Sequence, residues 1–144
     1  MVVEQRDTQN PHKQRQEFLD CLAILTGYEV ELTTGFPDGR YPDVLRIDQS
    51  RQRLFIGDAK DSESPGCLDT QARLLAYFRW LSVHVVGRGG QGMVAICFGD
   101  VGHAPGWIAT LEALAKEAGV GHMVSGVDYF GPGFVVAWSR TPDS

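Results

Sequence analysis

The chain has 144 residues, a formal net charge of −5, 43% hydrophobic and 22% charged residues. That size and balance suit a single folded domain with a real core, and they argue against a protein whose main work is coating nucleic acid. A nucleic-acid enzyme stays compatible, because acids gathered around a metal count as negative until the metal binds.

No apolar run approaches the roughly 18 residues of a membrane span, so no membrane association is expected. "MVVEQRDTQNPHKQRQ" is polar and lacks the apolar stretch of a signal peptide, so the expected location is cytoplasmic. Residues 1–9 read as a polar leader, 10–140 as one domain and 141–144 as a tail.

In chain order, "NPHKQRQEFLDCLAILTG" reads as a helix capped by Asn10, opened by Pro11 and stopped by Gly27. Its apolar arc holds Phe18, Cys21, Leu22, Ile24, Leu25 and Tyr28. Glu17 falls just inside the edge of that arc, with Asp20 further out. "YEVELTT" alternates like a strand, and "GFPDGR" is a turn by composition. "DVLRID" and "RLFIGDA" predict two more strands joined by "QSRQ". After the loop "DSESPG", "CLDTQARLLAYFRWLSVHVV" is the strongest helix. It carries Leu68, Leu74, Leu75, Phe78, Leu81 and Val85 on its apolar face, with Gln71 near the middle of that face. Tyr77, Trp80 and His84 fall on the less apolar side, which suits a partner surface or packing under the C-terminal segment. "GRGGQG" reads as a loop, "MVAICF" as a buried strand, and "GWIATLEALAKEAGV" as an amphipathic helix. "VDYFGPGFVVAWS" reads as a strand pair around "GPG", or as one strand after a loop. The sum is an α/β domain in the order α-β-β-β-α-β-α-β, with a mixed central sheet flanked by helices.

Chemistry concentrates in "YPDVLRIDQSRQRLFIGDAK", residues 41–60. Asp58 and Lys60 lie two apart on a strand and point to the same side. An antiparallel hairpin would bring Asp43 beside them. Two hard carboxylates, with waters and a substrate phosphate, form the usual environment of Mg²⁺. A lysine there can orient or deprotonate water, or stabilise charge on the phosphate. The same residues also read as a strand start and a solvated strand end carrying a weak ion pair.

Pro42-Asp43, followed fifteen residues later by Asp58-Ala59-Lys60, resembles the motif of the PD-(D/E)XK nuclease superfamily, which has the restriction-endonuclease-like fold. The element order over roughly residues 10–100 resembles it too. The resemblance implies a metal-dependent nuclease in which Asp43 and Asp58 hold Mg²⁺ or Mn²⁺ and the Ala59 carbonyl adds a ligand. Lys60 would serve the attacking water or the phosphate, and Glu17 on the first helix would support the metal, with Asp20 the weaker candidate. Gln71 matches the polar residue that some families aim at the site from the following helix. The best-known form of that signature has a tyrosine four residues on; here that position is Leu75, and the nearest tyrosine is Tyr77. A capping role for Gln71 at the helix start is the alternative.

Arg40, Arg73 and Arg88 are the candidate nucleic-acid contacts. The implied partner is DNA, with RNA left open, and such a short domain suits a homodimer or recruitment by another protein. A fold kept for nucleic-acid binding or protein assembly without catalysis is the competing class.

Other signals are weaker. "GRGGQG" follows a helix and precedes a strand, the reverse of a phosphate-binding loop. The four histidines have no metal spacing, and no GxSxG is present. Cys21, Cys67 and Cys97 form no CxxC or CxxH spacing and read as small buried hydrophobes.

Overall fold

The computed structural model describes residues 11–33, 42–50, 53–60, 64–84, 91–121, 124–127 and 133–140. Among the described residues three α-helices, α1 (Pro11–Leu25), α2 (Leu68–His84) and α3 (Ala104–Glu117), flank a six-stranded sheet. The strands are β1 (Val30–Glu31), β2 (Val44–Ile47), β3 (Arg53–Ala59), β4 (Gln91–Phe98), β5 (Val124–Val127) and β6 (Phe134–Arg140), in the spatial order β1-β2-β3-β4-β6-β5. Among the described strand pairs only β3 and β4 run parallel, and α2 supplies the crossover that a parallel pair needs. The other pairings are antiparallel. The expected α/β class, with a mixed sheet between helices, is therefore observed.

Both faces of the sheet are covered, and the period of two along each central strand sorts side chains between them. On one face Leu54, Ile56, Val94, Ile96, Phe98, Val136 and Trp138 join the inner sides of α2 and α3. On the other, Phe55, Ala59, Ala95, Cys97, Val135 and Ala137 meet Leu19 and Ala23 of α1. Burial on both sides explains why "LFI" and "MVAICF" read as continuous apolar runs.

Helix α1 packs on a different row from the expected one. Its buried residues are Arg15, Leu19 and Ala23, four apart and so stacked on one side. Phe18 and Leu22 are half-buried beside them, while Cys21, Ile24 and Leu25 face solvent. The helix ends where Gly27 takes φ 102°. Gly27 N–H then donates to Ile24 O at 3.1 Å, and Tyr28 N–H to Ala23 O at 2.8 Å. That pair of bonds needs the left-handed turn that glycine supplies. The Arg53 guanidinium lies over the Tyr28 ring, 4.7 Å from its centroid, and fastens this turn to β3.

Other boundaries move as well. Tyr77 and Trp80 do not lie on an open side of α2 but are buried in its core cluster, whereas Leu68 is exposed. Gln91 and Gly92 belong to β4 rather than to the preceding loop. A Cβ on Gly92 would come within 2.5 Å of Leu81 Cδ1, so the glycine lets α2 lie close against the sheet. The penultimate strand starts upstream of the expected "VDYF", at Val124.

Candidate active site at the open end of the hairpin

Strands β2 and β3 pair from Val44↔Gly57 to Ile47↔Leu54. At the turn end, Asp48 Oδ1 accepts from Arg53 N–H at 2.9 Å and helps close the connection. At the open end the ladder continues through side chains. Asp43 N–H donates to Asp58 Oδ1 at 3.0 Å, and Ala59 N–H donates to Asp43 Oδ2 at 2.8 Å. Each aspartate accepts from a backbone donor beyond the last paired residues of the β2–β3 ladder. Asp43 and Asp58 thus come together as the hairpin spacing predicted. Ala59 joins them through its amide.

Asp58 is buried at 3% exposure and Lys60 at 4%. The expected alternative of a solvated strand end does not hold. Lys60 Nζ donates to Asp58 Oδ2 at 3.2 Å, and the Tyr77 hydroxyl, reaching down from α2, donates to the same oxygen at 3.0 Å. Burial raises the Asp58 carboxyl above its ordinary value, against the opposing pull of the Lys60 charge. Burial also raises the Tyr77 phenol, and the Asp58 charge adds to that, so its hydroxyl stays a donor. Lys60 is fixed at the main chain as well: its N–H donates to Cys97 O at 2.8 Å, and its carbonyl accepts from Arg15 Nη1 at 2.9 Å. Arg15 is tightly seated, since a Cβ on Gly99 would collide with its Nη2.

Asp43 is the open member of the pair, its side chain 25% exposed. Its Oδ1 accepts from Gln16 Nε2 at 2.9 Å. His12 Nε2 approaches Gln16 Nε2 at 3.1 Å and Asp43 Oδ2 at 4.0 Å. Glu17 is not turned inward as expected. It is exposed, and it lines the rim of an open groove of about 430 Å³ shared with Gln16, Asp20, Glu31, Asp43 and Arg46. Asp20 is committed to Arg46, at 2.6 Å and 3.1 Å, a fork that clamps α1 to β2. Among the described residues no group of three His, Cys, Asp or Glu side chains is arranged to hold a metal.

Gln71 does not aim at the aspartates. Its Nε2 donates to Pro65 O at 2.7 Å, tying the start of α2 to the loop before it. Arg73 is exposed one helical turn before Tyr77, close enough for its charge to act on the Tyr77 hydroxyl. Arg40 and Arg88 lie outside the described residues.

Sequence reasoning missed Tyr77, Arg15 and Gln16. A signal existed for Tyr77, which continues the row Thr70, Leu74, Tyr77, Leu81 at helical spacing. Arg15 and Gln16 gave none, because a buried arginine and a glutamine both count as polar on a helical wheel.

Two neighbouring carboxylates with acceptor sites left over would suit a hard cation of modest coordination demand. An ionised carboxylate offers about four acceptor sites. Among the described residues Asp58 uses three of its own and Asp43 two on protein donors. Mg²⁺ is commonly held by one or two carboxylates and keeps several waters. Glu17 does not belong to that set.

No family model, curated protein or solved structure matches the chain. No described helix is long and apolar enough to cross a membrane.

Proposed function

We propose that the protein is a metal-dependent nuclease of restriction-endonuclease-like fold that hydrolyses phosphodiester bonds. DNA in a structured or partner-presented form is its proposed substrate, and the cytoplasm its proposed location. The observation that carries this reading is the buried Lys60–Asp58 pair set directly against the accessible Asp43. An ion pair so far from water is a poor investment for stability alone, because desolvating both charges offsets most of their attraction.

Asp43 and Asp58 would hold Mg²⁺ or Mn²⁺, with the Ala59 carbonyl as a further oxygen. Bound there, the ion would supply charge stabilisation at the phosphate and a more acidic water. Lys60 would orient that water or neutralise charge on the phosphate as it is attacked in line. Arg15 would keep Lys60 in place through its carbonyl. Arg73, exposed beside Tyr77, would contact a flanking phosphate, with Arg40 and Arg88 as further candidates. Glu17 would act only from the rim of the groove.

A second reading is a catalytically silent nucleic-acid-binding or assembly module. The reciprocal hydrogen bonds of Asp43 and Asp58 favour it, since they give both acids a structural task without any metal. Plasmid, branched and single-stranded DNA incubated with Mg²⁺ or Mn²⁺ separate the two. Cleavage by the wild type that is lost in Asp58→Ala and Lys60→Ala supports the nuclease. Cleavage surviving both substitutions removes this site, and absence of both cleavage and metal binding supports the silent module.

A further inference from the structure

Asp58 is held asymmetrically. Among the described residues its Oδ2 takes two donors, Lys60 Nζ from just past β3 and the Tyr77 hydroxyl from α2, while Oδ1 takes the Asp43 N–H alone. Tyr77 is 1% exposed, so substrate does not reach it. Its helix is firmly seated: Leu74, Phe78 and Leu81 are 0% exposed, and Leu81 presses on Gly92. The hydroxyl therefore reaches Asp58 from a rigid support. The terminal torsion of an aspartate is broad and roughly two-fold, so one flexible lysine leaves the carboxylate free to turn. A second donor on a packed ring fixes it.

We infer that Tyr77 is a positioning residue, which together with Lys60 anchors Asp58 Oδ2 so that Oδ1 is presented toward Asp43. This rests on the reading of Asp43 and Asp58 as cation ligands. The tyrosine would act on the cation only through Asp58. Partners that orient metal-binding carboxylates typically contribute about 10–100-fold in affinity or activity.

The test is Mn²⁺ binding by calorimetry, with no nucleic acid present, on the wild type, Tyr77→Phe and Tyr28→Phe. Tyr28 is a buried tyrosine in the opposite core cluster and serves as the control. Melting without metal is recorded for all three. The expected result is an Mn²⁺ affinity about 10–100-fold weaker in Tyr77→Phe and unchanged in Tyr28→Phe. A purely structural hydroxyl would lower the metal-free melting temperature of Tyr77→Phe and leave its Mn²⁺ affinity at the wild-type value, which would overturn the inference. A wild type that binds no Mn²⁺ would overturn both this inference and the metal site beneath it. Cleavage is scored separately: a wild type that binds Mn²⁺ tightly, weakened by Tyr77→Phe, but cuts nothing supports the role of Tyr77 and removes only the nuclease reading.

Discussion

Asp43 and Asp58 exchange hydrogen bonds across the open end of a hairpin: the Asp43 amide donates to the Asp58 carboxylate, and the Asp43 carboxylate accepts from the amide beside Asp58. The two acids therefore have a structural task and a candidate chemical one.

Asparagine and alanine at position 43 should part company. Asp43→Ala leaves the Ala59 N–H without its acceptor and should cost about 1–3 kcal/mol in urea unfolding. Asp43→Asn keeps a carbonyl oxygen for that amide and should cost clearly less. Both should lose metal binding, because the charge is gone from the accessible carboxylate. Equal stability losses would mean that the amide contact contributes little.

Gln16 occupies the place beside Asp43 where the resemblance leads one to expect an acid. Gln16→Glu should put a third carboxylate against the pair. Without metal, like-charge repulsion should lower the melting temperature; with Mn²⁺, binding should tighten several-fold over wild type by calorimetry. A Gln16→Glu protein that binds Mn²⁺ no better than wild type would place the cation away from the Asp43 carboxylate.

How much of this was legible in the sequence depends on what each residue is buried for. The hairpin was readable because Asp43, Asp58 and Lys60 sit at the ends of apolar runs, and a period of two fixes their side. The inward row of α1 was not. Hydropathy favours Phe18, Ile24 and Leu25, but the helix turns Arg15 inward because its guanidinium finds the Lys60 carbonyl and a seat against Gly99. That rotation carries Glu17 outward and brings Gln16 onto Asp43. Tyr77 was misplaced for a related reason. Its hydroxyl makes it look amphipathic, yet the ring completes the α2 core and the hydroxyl finds Asp58 beneath it.

Burial gives Asp58 a pH signature. Its carboxyl lies above the ordinary aspartate value of 3.8 in the folded protein, because burial disfavours the charged form. Between 3.8 and that raised value the folded state binds more protons than the unfolded one, so Asp58's contribution to stability is full below 3.8 and is lost as pH rises through the folded pKa. Asp58→Asn removes this ionisation from both the folded and the unfolded state, so the comparison with wild type reports chiefly on Asp58. In metal-free buffer the stability of wild type relative to Asp58→Asn should fall as pH is raised from acid toward neutral. A difference that grows over that range would mean that Lys60 outweighs burial and holds the carboxyl low.

The most direct test of the central claim is single-turnover cleavage of plasmid DNA in Mg²⁺ by wild type and Lys60→Ala, with Mn²⁺ affinity measured on the same preparations. Lys60 is buried against Asp58 and positioned through its own backbone, so it should serve the chemistry rather than merely hold the cation. The predicted result is a cleavage rate about 10²–10⁴-fold lower in Lys60→Ala, with Mn²⁺ still bound. Cleavage by Lys60→Ala at the wild-type rate would contradict the account.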